Sequence, residues 1–177
     1  MKNTFLIGLI CLFLAGCGSG DPGDTSTKDI STEDKPAPII NSNISAFAAL
    51  KKDGSVVTWG SSWGGDSSAV AGELTDVSVI YSTNGAFAAL KKDGSVVTWG
   101  EPDFGGDSSA VAGELTDVSV IYPAGDTFAA LKKDGSVVTW GNSRRGGDSS
   151  SVANELTDIR VIYSTDSAFA ALKKTAR

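Results

Sequence analysis

Ala48-Ala49-Leu50-Lys51-Lys52-Asp53-Gly54-Ser55-Val56-Val57-Thr58-Trp59-Gly60 returns letter for letter at Ala88 to Gly100 and again at Ala129 to Gly141. Trp59, Trp99 and Trp140 are thus 40 and then 41 residues apart, a period in the range of propeller blades and helical arrays. The frame around the motif is fixed. Phe47, Phe87 and Phe128 each precede their Trp by twelve residues, and Asp66, Asp107 and Asp148 precede Tyr81, Tyr122 and Tyr163 by fifteen. Length changes only after the Trp, where Ser61-Ser62-Trp63 stands in place of Glu101-Pro102-Asp103-Phe104 and Asn142-Ser143-Arg144-Arg145. A segment that tolerates insertion is a loop, and invariant spacings belong to paired elements.

Each copy reads as three short strands: Val77 to Tyr81, Ala86 to Lys91 and Ser95 to Trp99 in the second copy. All are rich in β-branched or aromatic residues and bounded by turn signals. Asp-Gly between the second and third strands is a hairpin signal because both residues accept positive φ. The second strand is apolar on both faces, with three alanines, so both faces are covered and neighbouring sheets come close. Between copies, Asp107 to Thr116 suits a short helical turn with Ser or Asp as N-cap and Val111 and Leu115 on one face. The fixed register of Phe47, Phe87, Phe128, Trp59, Trp99 and Trp140 marks them as expected core residues. Lys51-Lys52, Lys91-Lys92, Lys132-Lys133 and Lys173-Lys174 recur at one place in the repeat and read as solvated strand ends that discourage edge pairing.

Phe-Ala-Ala-Leu-Lys-Lys-Asp-Gly-Ser-Val-Val-Thr-Trp-Gly is similar to the core of the regulator of chromosome condensation repeat. The period near forty resembles the compact three-stranded blades of the β-lactamase inhibitory protein type. The resemblance implies an all-β, propeller-like array, with blades at 37–76, 77–117 and 118–158 and a partial one at 159–177. Gly, not the Asp of Trp-Asp repeats, follows every repeat Trp. The fourth copy stops mid-motif at Leu172-Lys173-Lys174-Thr175-Ala176-Arg177, giving about three and two thirds blades where propellers have four to eight. Truncation of a longer gene is the expectation, beside self-association that completes a ring and an open arc with exposed edges.

The first seventeen residues set the compartment. Met1-Lys2-Asn3-Thr4, the apolar run Phe5 to Ala15 and Leu14-Ala15-Gly16-Cys17 resemble a bacterial lipoprotein signal, and the run is too short to span a bilayer as a helix. The resemblance implies cleavage after residue 16, acylation of Cys17 and, with Gly18 next, an outer-membrane address rather than an inner one. Cys11 leaves with the signal, so no thiol remains for a disulfide, a metal or a nucleophile. Residues 17–36 are polar, acidic and nearly free of apolar side chains, a flexible tether. The formal charge of −6 becomes −7 once Lys2 is removed, which argues against nucleic acid as a partner and leaves the lipid as the expected membrane contact.

Strand directions place the loop after Trp and the turn between the first two strands at the same end of a blade, and these are the two places where copies differ. Ser82-Thr83-Asn84-Gly85 becomes Pro123-Ala124-Gly125-Asp126 and then Ser164-Thr165-Asp166-Ser167. Diversified loops on a constant scaffold are where partners are selected. Trp63, Phe104 and Arg145 stand just before Gly-Gly in successive copies and are of the residue types that dominate binding hot spots; Arg144, Asn84, Asp126 and Asp166 complete the candidate partner-binding set. Unconstrained loop drift explains the same variation.

Enzymatic readings are poor. The chain has no His, which removes a His-dependent triad and a His metal site. Asp66, Asp107 and Asp148 are three equivalents, unlike the paired carboxylates in unlike environments of a glycosidase, and they suit side-chain-to-backbone turn bonds. No spacing resembles a calcium loop. No cofactor or metal is therefore expected. The expected function is non-catalytic binding of a protein or saccharide by a tethered lipoprotein. The alternatives are inhibition of a secreted or periplasmic hydrolase, which the compact-bladed resemblance implies, and a non-functional fragment.

Overall fold

A computed structural model of the chain describes residues 39–175; the signal, Cys17 and the tether lie outside the described residues. Strands β1 (Ile39–Ser42), β2 (Ala46–Leu50) and β3 (Val56–Gly60) form the first antiparallel sheet. β4 (Val77–Ser82), β5 (Ala86–Lys91) and β6 (Val96–Gly100) form the second, and β7 (Val118–Pro123), β8 (Thr127–Lys132) and β9 (Val137–Gly141) the third. β10 (Ile159–Ser164) and β11 (Phe169–Lys173) make a two-stranded fourth. The fold is a propeller-like array of three-stranded blades in an incomplete ring.

Identical sequence gives identical register: Phe47 faces Trp59, Phe87 faces Trp99, and Phe128 faces Trp140. Each Phe stacks on its Trp, with ring centroids 5.2 to 5.4 Å apart. The core lies between blades. Ala46, Ala48 and Leu50 of the first blade pack with Phe87, Trp99, Val77 and Ile80 of the second. Ala86, Ala88 and Leu90 do the same with Phe128, Trp140, Val118 and Ile121. The alanines are needed here because a neighbour's aromatic pair occupies the space a longer side chain would take.

Two expectations are corrected. In the hairpin, only Gly54, Gly94 and Gly135 take positive φ, at 82 to 88°, while the preceding Asp stays in ordinary space. The Gly54 N–H donates to the Lys51 carbonyl at 3.0 Å and Lys51 N–H to the Ser55 carbonyl at 2.9 Å, the three-residue loop with a left-handed Gly. The Asp53, Asp93 and Asp134 side chains instead accept from the hydroxyls of Ser55, Ser95 and Ser136 at 2.6 to 2.7 Å, which holds their carboxyls below the usual range. The second correction concerns Phe47 and Trp59, which are 44% and 43% exposed. They carry the same sequence as their counterparts, but no blade precedes theirs among the described residues.

The short helical turn after each post-Trp loop is 3-10, at Ser68–Val70, Ser109–Val111 and Ser150–Glu155. Asp66, Asp107 and Asp148 accept from the backbone N–H of Ser68, Ser109 and Ser150 at 2.8 to 2.9 Å. That bond is the main reason their carboxyls sit low. Leu115 is buried below this turn and Val111 packs partly against it. At the constant end, Val77, Val118 and Ile159 N–H donate to the carbonyls of Gly54, Gly94 and Gly135 of the blade before, at 2.9 to 3.0 Å. Lys92 with Asp76 and Lys133 with Asp117 form exposed ion pairs at 3.5 and 3.6 Å, worth little in stability.

Candidate functional site

The post-Trp loops start their turns in three ways. In the first blade Ser61 Oγ accepts from Trp63 N–H at 3.3 Å; in the third, Asn142 Oδ1 accepts from Arg144 N–H at 3.0 Å. In the second no side chain caps the turn and Pro102 starts it, its fixed φ supplying what the cap supplies elsewhere. The loop therefore changes its side chains and, in the shorter first copy, its turn type, while its path still ends on a left-handed Gly64, Gly105 or Gly146.

That path returns each loop to the turn between the first two strands of its blade. Asn43 Nδ2 donates to the Trp63 carbonyl at 3.1 Å, Thr83 Oγ1 to that of Phe104 at 2.8 Å, and Thr127 Oγ1 to that of Arg145 at 3.2 Å. Backbone bonds from Ser61 to Ser45, Glu101 to Gly85 and Asn142 to Asp126 add to these. The two diversified segments of each complete blade thus meet at one end.

The turns are also tied to one another across blades. Ile44 N–H donates to the Asn84 carbonyl, Asn84 N–H to that of Gly125 and Gly125 N–H to that of Asp166, at 3.3, 2.8 and 3.0 Å. Turn residues of all four blades, among them Asn43, Asn84, Gly125 and Asp166, line an open depression of about 460 Å³. Ser42 and Asn43 are not among the variable segments named from the sequence; their alignment with Ser82 and Thr83 is the signal that finds them.

The candidate residues divide. Asn84 and Asp166 are exposed on the depression, and Arg144 is exposed on its loop. Trp63 is 50% exposed. Phe104 is half-buried, its ring covering Gly85 and packing partly against the Phe128 and Trp140 cluster. Asp126 is buried and receives Arg145 Nη1 on Oδ2 at 2.9 Å and Asn84 Nδ2 on Oδ1 at 3.2 Å, so its carboxylate is already engaged within the scaffold. Arg145→Ala leaves this carboxylate without its cation. Because Arg145 is half exposed the loss is expected to be about 1 to 2 kcal/mol. Asp126→Asn added to Arg145→Ala should return most of it, read from urea unfolding as a double-mutant cycle.

No group of three or more His, Cys, Asp or Glu suited to a metal occurs among the described residues. No family model matches the chain, and no curated protein matches it. Solved structures do. A chain in the crystal structure of Kap60 bound to yeast RCC1 (Prp20) is 19% identical, with a TM-score of 0.42, over 58% of this chain and 29% of that one. Human WBSCR16 is 18% identical, TM-score 0.45, over 74% and 43%. The ectodomain of the Physcomitrella patens receptor kinase CR4 is 14% identical, TM-score 0.45, over 72% and 33%. The chain therefore spans less than half the length of each of these structures.

Proposed function

We propose that this protein is a lipid-anchored, non-catalytic repeat protein of the bacterial cell envelope, of the regulator of chromosome condensation type, that binds a protein or saccharide partner through the variable end of its blades. The carrying observation is the meeting of both diversified segments at that end, while the opposite Lys-Lys-Asp-Gly-Ser end is invariant. Trp63 offers a large amphipathic surface, and the depression offers amide, hydroxyl and carboxylate groups to a hydrogen-bonding partner. The anchor rests on Leu14-Ala15-Gly16-Cys17, and acyl chains contribute about 0.8 kcal/mol per buried methylene to membrane attachment.

Two measurements test this on the full chain in a bacterial host. Labelled palmitate should enter the protein and vanish with Cys17→Ser; label that survives the substitution rejects the anchor. For binding, the immobilised protein is presented with envelope extract and a saccharide panel. Trp63→Ala with Arg144→Ala should lower retention of the bound species about tenfold, equivalent to about 1.4 kcal/mol, and Lys91→Ala with Lys92→Ala should leave it unchanged. Equal effects at both ends would reject the variable end as the binding surface.

A further inference from the structure

The joint between blades has two halves that recur along the chain. One half is a stacked aromatic pair, Phe87 with Trp99 or Phe128 with Trp140, pressed onto the blade before it. The other is the face of that earlier blade's second strand: Ala46, Ala48 and Leu50 for the first pair, Ala86, Ala88 and Leu90 for the second. Two polar links lock it. The indole N–H of Trp99 donates to the Gly64 carbonyl at 2.9 Å and that of Trp140 to Gly105 at 3.0 Å. Each turn donates a backbone N–H to the equivalent turn of the next blade, as in Asn84 to Gly125.

Among the described residues both halves stand open, one in the first blade and one in the last. The first blade presents Phe47 and Trp59, already stacked at 5.4 Å with an interplanar angle of 14°. The last presents Ala168, Ala170 and Leu172, all exposed, with Leu172 at 48%. The turn link is open in the same sense: Asp166 N–H is the counterpart of the donating turns and the Ile44 carbonyl that of the accepting ones, whereas Gly146, the counterpart of Gly64 and Gly105, belongs to the third blade and already lies against Phe169.

We propose that a second copy of this chain joins the first head to tail. Phe47 and Trp59 of one copy seat on Ala168, Ala170 and Leu172 of the other, and Asp166 N–H donates to the Ile44 carbonyl. The occupant is a second copy because each open half repeats a surface that its complement already fills inside the chain. A different apolar partner would cover the rings but would have to supply the turn donor at the same offset. Val56 also lines the internal receiving face and has no counterpart among the described residues of the last sheet, so the joint between copies is weaker than the internal ones and depends on concentration. The contact is heterologous, closing when the rotation allows and otherwise extending. It is independent of the partner reading above.

The test is sedimentation of the full lipidated chain in density-matched detergent over a range of concentrations. Wild type should reach the mass of two or more copies. Phe47→Asp and Leu172→Asp should each remain single, and mixing the two should restore a two-copy species, because one sound head and one sound tail then remain. A wild type that stays single, variants that still assemble, or a mixture that stays single would each overturn the proposal. Should either variant fail to fold, the cysteine pair Ile44→Cys and Asp166→Cys decides: a disulfide between copies supports the joint, whereas a disulfide within one chain or none overturns it.

Discussion

Trp99→Ala and Trp140→Ala should each cost about 3 to 5 kcal/mol of stability, and Trp59→Ala about 1 kcal/mol, although all three occupy the same thirteen-residue motif. The difference lies in the neighbour and not in the residue. Trp99 and Trp140 are 4% exposed, against 43% for Trp59. Removing either buried indole deletes a large apolar surface and leaves a cavity between two sheets. It also strips the Gly64 or Gly105 carbonyl of its donor, and an orphaned buried acceptor costs about 1 to 3 kcal/mol. Trp59 retains its stacking with Phe47, an interaction of about 0.5 to 1.5 kcal/mol, with little else to lose in a single copy. The comparison is made by urea unfolding in the Leu172→Asp background, where assembly makes no contribution. Equal losses at all three positions would mean that the Trp acts within its own blade and not on the preceding one.

That contrast also marks how far the sequence can be read. The three-stranded blade, the pairing of Phe with Trp and the two-sided burial of the alanine-rich strand follow from local period, residue shape and spacing, and all were legible. So was the meeting of the variable segments, because strand direction fixes which loops share an end. Burial of Phe47 and Trp59 was not legible, since a motif that repeats letter for letter contains no record of whether a blade precedes it. The candidate site was read less well than the scaffold. Asp126 looks like any loop carboxylate until Arg145, nineteen residues further on, is brought to 2.9 Å. Phe104 looks like a hot-spot aromatic until the turn over Pro102 lays it on Gly85. In both cases composition identified a residue able to bind, and only the return of the loop to its own blade showed the ion pair or the ring packing in which it is engaged. The hairpin differs in a related way: Asp-Gly permits two left-handed residues, but the Ser that follows gives the Asp carboxylate a hydroxyl and a backbone N–H, and only Gly turns left.

Gly105→Ala should destabilise the protein by about 3 kcal/mol or more, while Gly113→Ala, eight residues away, should be neutral or stabilising by about 0.5 kcal/mol. Gly105 has φ of +91°, and a Cβ there would lie 2.7 Å from Cδ2 and 3.0 Å from Cε2 of Phe128. That ring is fully buried, so it has no space into which to retreat. An L side chain in left-handed space adds about 1 to 2 kcal/mol, and moving the loop to relieve the clash would pull the Gly105 carbonyl from the Trp140 indole. At Gly113 a Cβ meets nothing within 4 Å and φ is not left-handed, so alanine chiefly reduces the freedom of the unfolded chain. Gly146 supplies the intermediate case. Its Cβ would lie 3.1 Å from Cδ2 of Phe169, a ring only partly buried, and Gly146→Ala should cost less than Gly105→Ala. Thermal or urea unfolding of the three variants orders them, and the order carries the argument. If Gly146 matched Gly105, left-handed strain alone would explain the cost; a graded loss assigns the larger part to the aromatic ring that the glycine admits, and hence to the joint between blades.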